Sequence, residues 1–225
     1  ITITRAPDSF TGFESQLGMN WLNKIPAERK DCFLKNRYVV RLPKSPEPIF
    51  TQNIPFYTIP GTNRELLCDI WQPPQNIKQS GLAFIYLHGS AWVVLYKDYG
   101  TRTFFKHLAN HGHVIMDVAD RLFPETDMMG MVHDAKHAIV WMKENAAVYN
   151  VNPDCIIIGG GSSGGHISLL TAYTNANKQF MPPDLEGVDS SVKAVISLYG
   201  PADLVHTYYH TCQHLTTKSA LSTNK

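Results

Sequence analysis

The sequence has 225 residues, 44% hydrophobic and 17% charged, an apolar share that supports a sizeable core and excludes wholesale disorder. Lys and Arg number 20 against 19 Asp and Glu, so the net charge is +1, which gives neither a nucleic-acid footprint nor an acidic tail. No apolar run approaches the roughly 18 residues that a membrane span needs, so none is expected.

Residues 1–52 read as an accessory, lid-like N-terminal segment. Phe10, Phe13, Leu17, Trp21 and Leu22 recur at loose helical spacing, and a Pro-rich connector follows from Pro43 to Pro48. Two strands are predicted at 53–59 and 65–72. Pro60-Gly61 between them is a strong turn signal, so they form a hairpin. From Gly81 the pattern becomes strand, loop, helix, repeated. Residues 82–87 (LAFIYL) are a short continuous apolar run, as a buried parallel strand requires. A helix is expected around 98–110 and a strand at 113–118. Met131, Val132, Ala135, Ala138, Ile139 and Met142 share one face of a helix over 129–148. A strand at 155–160, a helix at 164–176 and a strand at 192–200 complete the alternation. This is an α/β chain with a doubly wound, mostly parallel sheet, its core spanning 53–204. Residues 205–225 are polar and unassigned, a possible start of a lid. Trp21, Tyr208 and Tyr209 are candidate lid walls.

Cys32, Cys68, Cys155 and Cys212 are far apart and no C-x-x-C occurs, so four free thiols are expected and no zinc or redox site. The strongest chemical signal is the run Gly159 to His166, GGGSSGGH, between a strand and a helix. Read as G-x-S-x-G from Gly161 to Gly165, it makes Ser163 a nucleophile on a sharp turn, with a helix N-terminus behind it. Gly159, Gly161 and Gly164 also satisfy a dinucleotide fingerprint, with Asp184 as its acid, but the motif follows the third parallel strand and Asp184 reads as loop. A P-loop fails because no Gly-Lys-Ser/Thr follows. A second segment, His88 to Trp92 (HGSAW), closes the strand 82–87. Its N–H groups could face the oxyanion of an acyl-transfer intermediate.

These motifs, with RLFPE at 121–125 and SLYGPADL at 197–204, resemble the α/β-hydrolases of the hormone-sensitive-lipase and carboxylesterase type over about residues 53–204. The family patterns are HGGxW and G-D-S-A-G-G. Ser90 stands at the second glycine of the first, and Asp120 replaces the tyrosine that precedes RLxPE. The resemblance implies an acyl-enzyme on Ser163 and an oxyanion hole from Gly89, Ser90 and Gly164. The substrate would be a small-molecule carboxylic ester, with no cofactor and no metal. It also implies a triad acid and histidine after later strands. Asp203 matches a position that is usually structural, while His206, His210 and His214 follow it in helical register. The expectation is therefore a hydrolase fragment lacking the last strands and helices. Two alternatives are a catalytically dead receptor or binding protein on the same fold and a dinucleotide-dependent oxidoreductase.

Overall fold

The computed structural model describes residues 14–15, 18–27, 46–210 and 212. Expectations resting on Phe10, Phe13, Leu17, Cys32, Pro43 and His214 lie outside the described residues. The chain divides into two compact units, Ile1–Lys44 and Ser45–Lys225. In the first, Trp21 opens a short 3-10 turn, Trp21–Lys24, and is buried.

Among the described residues the second unit carries one sheet of six strands. They are β1 (Ile49–Thr58), β2 (Glu65–Gln72), β3 (Ala83–Leu87), β4 (Val114–Val118), β5 (Ile156–Gly161) and β6 (Ala194–Leu198). Their order across the sheet is β1-β2-β4-β3-β5-β6. The β1–β2 hairpin and the β2–β4 pair are antiparallel, while β4, β3, β5 and β6 are mutually parallel. The α/β alternation expected from the sequence is therefore present, with an antiparallel hairpin joined to its edge. The main departure at the N-terminal side is β1, which starts at Ile49 rather than 53.

Among the described residues three helices cover the sheet: α1 (Arg102–Asn110), α2 (Met128–Glu144) and α3 (Ser163–Tyr173). Strand side chains alternate between faces. Ile85, Leu87, Met116, Val118, Ile156 and Ile158 meet Met131, Ala135, Ile139 and Met142 of α2 and Ile167 of α3 on one face. Phe84, Tyr86 and Ile115 meet Phe105 and Ala109 of α1 on the other. Each fully buried aliphatic or aromatic side chain contributes about 1.5–3 kcal/mol relative to an exposed one. All five positions of β3 and of β4 are buried, which explains why β3 reads as an unbroken apolar run, while β4 carries one buried acid, Asp117. By contrast, β6 pairs only with β5 among the described residues, and Ile196 on it is 42% exposed. No helix among the described residues is long and apolar enough to cross a membrane.

Candidate active site

The C-terminal ends of β3 and β5 lie side by side, with Leu87 in register with Gly160. The chain leaves β5 at Gly161, turns at Ser162 and enters α3 at Ser163. Ser162 holds φ 51° and ψ −120°. For a residue with a side chain such a conformation costs on the order of 1–3 kcal/mol, and strain of this kind concentrates where a side chain must be presented. The Ser162 N–H donates to Leu198 O at 2.9 Å, and its carbonyl accepts the His166 N–H at 3.1 Å. The turn is thus pinned to β6 on one side and to the first helical turn on the other.

The sequence reading puts the Ser163 hydroxyl at the tip of this bend. That side chain is not at the tip of the bend: it is 1% exposed, the first residue of α3. Its Oγ accepts the Ser90 N–H at 2.7 Å and bonds the Ser90 hydroxyl at 2.9 Å. Ser162 is the partly exposed serine, and it lines an open cavity of about 510 Å³ with Tyr86, His88, Gly89, Leu95 and Tyr99. Two overlapping G-x-S-x-G frames fit the sequence, Gly160–Gly164 and Gly161–Gly165. The signal that separates them is the paired glycine ending G-D-S-A-G-G. Matching both to Gly164 and Gly165 puts Gly161 at the acid, Ser162 at the serine and Ser163 at the alanine.

The residues expected to form the oxyanion hole lie around this turn. Gly89 lies against the turn: a Cβ there would sit 3.5 Å from Ser162 Cβ and 3.2 Å from Gly161 O. The Ser90 N–H, expected to be open, is already donated to Ser163 Oγ. The Ser163 N–H is the first of α3, so no carbonyl within the helix can accept it. Gly164 is buried within the first turn. A Cβ on it would meet Leu87 O at 2.1 Å, so glycine there lets the helix seat against the end of β3.

The Ser90 loop is tied down in turn. Ser90 Oγ accepts the Trp92 N–H at 3.1 Å, and Trp92 O accepts the Phe123 N–H at 2.8 Å. Ala91 and Trp92 both hold positive φ, 45° and 63°. Arg121 grips Asp134 of α2 with two side-chain nitrogens, at 2.6 Å to Oδ1 and 3.0 Å to Oδ2. Its N–H also donates to Asp134 Oδ2 at 2.9 Å.

The histidines divide by place. His88 is buried with both ring nitrogens unpaired, its Nε2 3.6 Å from Asp120 Oδ1, too long for a hydrogen bond. Burial lowers the His88 pKa and pushes the Asp120 carboxyl up to about 8, so the pair is neutral near pH 7. His166 packs edge-on against Trp92, centroids 5.7 Å apart. His206 and His210 stand on an exposed helical stretch, 204–210, and Asp203 caps its start by accepting the His206 N–H at 2.8 Å. The structure thus brings Ser162, Gly89 and His88 to one cavity and leaves Asp203, His206 and His210 outside its lining. Tyr208 and Tyr209, candidate lid walls, are on that same exposed stretch. Asp184, the acid of the dinucleotide reading, sits in a short turn with its carboxylate on Tyr57 and His137, each at 3.0 Å, not at a strand end. No metal-binding cluster occurs among the described residues.

The buried acids set a pH dependence. Burial pushes Asp117 as well as Asp120 up to about 8. Both folded values lie above the unfolded one near 3.9, so the folded state keeps protons that the unfolded chain loses. Their contribution to stability is full below about pH 4 and is lost as pH rises through 8. Between those limits stability therefore falls as pH rises. Urea midpoints should fall across that window, and D117N/D120N should flatten the fall. An equally steep fall in the double variant would place its origin elsewhere.

The BD-FAE family pattern matches residues 68–224. Esterase LipQ of Mycobacterium tuberculosis is 32% identical over 69% of this chain and 36% of its own length. The probable carboxylic ester hydrolase LipM of the same organism is 32% identical over 60% of this chain and 31% of its own. The chain therefore spans about a third of the curated relatives it matches. Among solved structures, apo Thermogutta terrifontis esterase 2 superposes with a TM-score of 0.56 at 24% identity, covering 69% of this chain and 56% of that one. A bacterial heroin esterase gives 0.55 at 21% identity, covering 70% and 45%.

Proposed function

The chain belongs to the BD-FAE family, α/β-hydrolases of the hormone-sensitive-lipase and carboxylesterase type, and on that premise we propose that the protein hydrolyses carboxylic esters through an acyl-enzyme on Ser162. The observation that carries this reading is the strained Ser162 turn between β5 and α3, open to a cavity and seated against Gly89. Ser162 Oγ attacks the ester carbonyl carbon, its proton passing to the triad histidine that the family resemblance implies and that no contact of Ser162 among the described residues identifies. The carbonyl oxygen becomes an oxyanion facing the Gly89 and Ser163 N–H groups, with the positive end of α3 behind it. One such donor is worth about 3–4 kcal/mol in the transition state. The alkoxide departs protonated, and water then cleaves the acyl-serine bond. Ser163 supports the site as an acceptor for Ser90, not as the attacking group.

A fluorophosphonate probe should label the full-length protein, with the adduct mapped to Ser162 by peptide mass spectrometry. An adduct on Ser163 would overturn the assignment. One observation favours a second reading, a catalytically silent binding protein: the Ser90 N–H is already engaged by Ser163 Oγ. The same experiment separates the two, because that reading expects no adduct on either serine.

A further inference from the structure

One wall of the Ser162 cavity is the loop 91–101 between β3 and α1, which has no regular structure. It presents apolar groups to water: Val94 is 52% exposed, Leu95 45% and Tyr99 68%. Leu95 and Asp98 hold positive φ, 74° and 69°. Left to itself, such a segment would fold its apolar side chains onto the nearest apolar surface. Two consecutive residues fasten it instead. Lys97 is buried, and its ammonium donates to Asp69 Oδ1 at 2.6 Å and Asn53 Oδ1 at 3.0 Å. The Asp98 N–H donates to Asp117 Oδ2 at 2.6 Å.

Asp69 and Asp117 are direct register partners on β2 and β4, and both are fully buried. Two carboxyls side by side in a sheet interior are unfavourable, and Asp69 Oδ2 and Asp117 Oδ1 have no hydrogen-bond partner. Apolar residues would pack this position better, and a buried polar group of this kind is best justified by the arrangement it specifies. What these two specify is the path of the loop.

We propose that Asp69, Lys97 and Asp117 form a buried anchor that holds the loop wall of the Ser162 cavity and thereby sets which ester side groups it accepts, favouring long apolar ones. The inference rests on the Ser162 reading. The three are positioning residues: none touches the reacting atoms, and they act through Leu95 and Tyr99.

The test uses the full-length protein with p-nitrophenyl acetate and p-nitrophenyl octanoate, and a small fluorophosphonate as a separate readout. In K97M and D117V the KM for octanoate should rise about tenfold or more relative to that for acetate, with kcat and the labelling rate within about threefold of the parent. D117N keeps an oxygen to accept the Asp98 N–H and should stay near the parent. K97M, which fills the lysine's space, carries the test if D117V is insoluble. An unchanged octanoate-to-acetate ratio in the soluble variants overturns the proposal, as does a D117N that behaves like D117V. Unlabelled parent protein overturns the Ser162 reading itself, and this inference with it.

Discussion

Ser162→Ala is expected to bring ester turnover by the full-length protein to background, a fall on the order of a million-fold for the loss of an attacking serine. Ser163→Ala is expected to keep turnover within about tenfold of the parent while lowering stability, because it removes a buried acceptor and costs about 1–3 kcal/mol. The contrast follows from geometry. Ser162 stands in the strained turn, partly exposed in the cavity, whereas Ser163 Oγ is enclosed and bonded to Ser90. In Ser163→Ala the freed Ser90 N–H can turn toward the oxyanion, which limits the kinetic loss. Paired kcat and melting measurements on the two variants check this. A dead Ser163→Ala beside an active Ser162→Ala would reverse the assignment.

The sequence carried the architecture further than the site. Residues 82–87 and 155–160 read as buried strands because parallel strands covered on both faces have no polar face to show, and the structure places β3 and β5 there within one residue. The glycine-rich turn was equally legible, but its register was not. Five glycines flank two adjacent serines, so local spacing admits both frames. The paired glycines that end the family pattern separate them, and the backbone conformation, set by where β5 ends and α3 begins, agrees. The engagement of Ser90 by Ser163 was invisible for a related reason, since it joins a loop to the start of α3 across 73 residues. Asp69 and Asp117 were hidden more deeply. Each is one acid inside an apolar strand, and only the β2–β4 register sets them opposite each other.

Asp134→Ala should be strongly damaging although it lies away from the reacting serine. Asp134 is fully buried, and it holds both the side chain and the N–H of Arg121. The Arg121 side chain is 16% exposed, and its pKa is raised first by that hydrogen bond. Removing the carboxylate leaves a largely enclosed cation without its partner, which costs about 3–5 kcal/mol. Whole-domain stabilities run at about 5–15 kcal/mol, so this is a large share, equivalent to a melting temperature roughly 6–20 °C lower. The damage should also reach the site. Arg121 fixes the segment whose Phe123 N–H bonds Trp92 O, and the Trp92 N–H bonds Ser90 Oγ in the loop that carries Gly89. Loosening Arg121 therefore misplaces the Gly89 donor, and a displacement of about 1 Å costs on the order of a hundredfold in rate. The expected result is a lower melting temperature together with a lower kcat measured well below it. Asp134→Asn, which retains an acceptor of the same shape, should lose less of both. If Asp134→Ala lowered the melting temperature but left kcat intact, the path from α2 through Arg121, Phe123 and Trp92 to Gly89 would not be coupled to the chemistry.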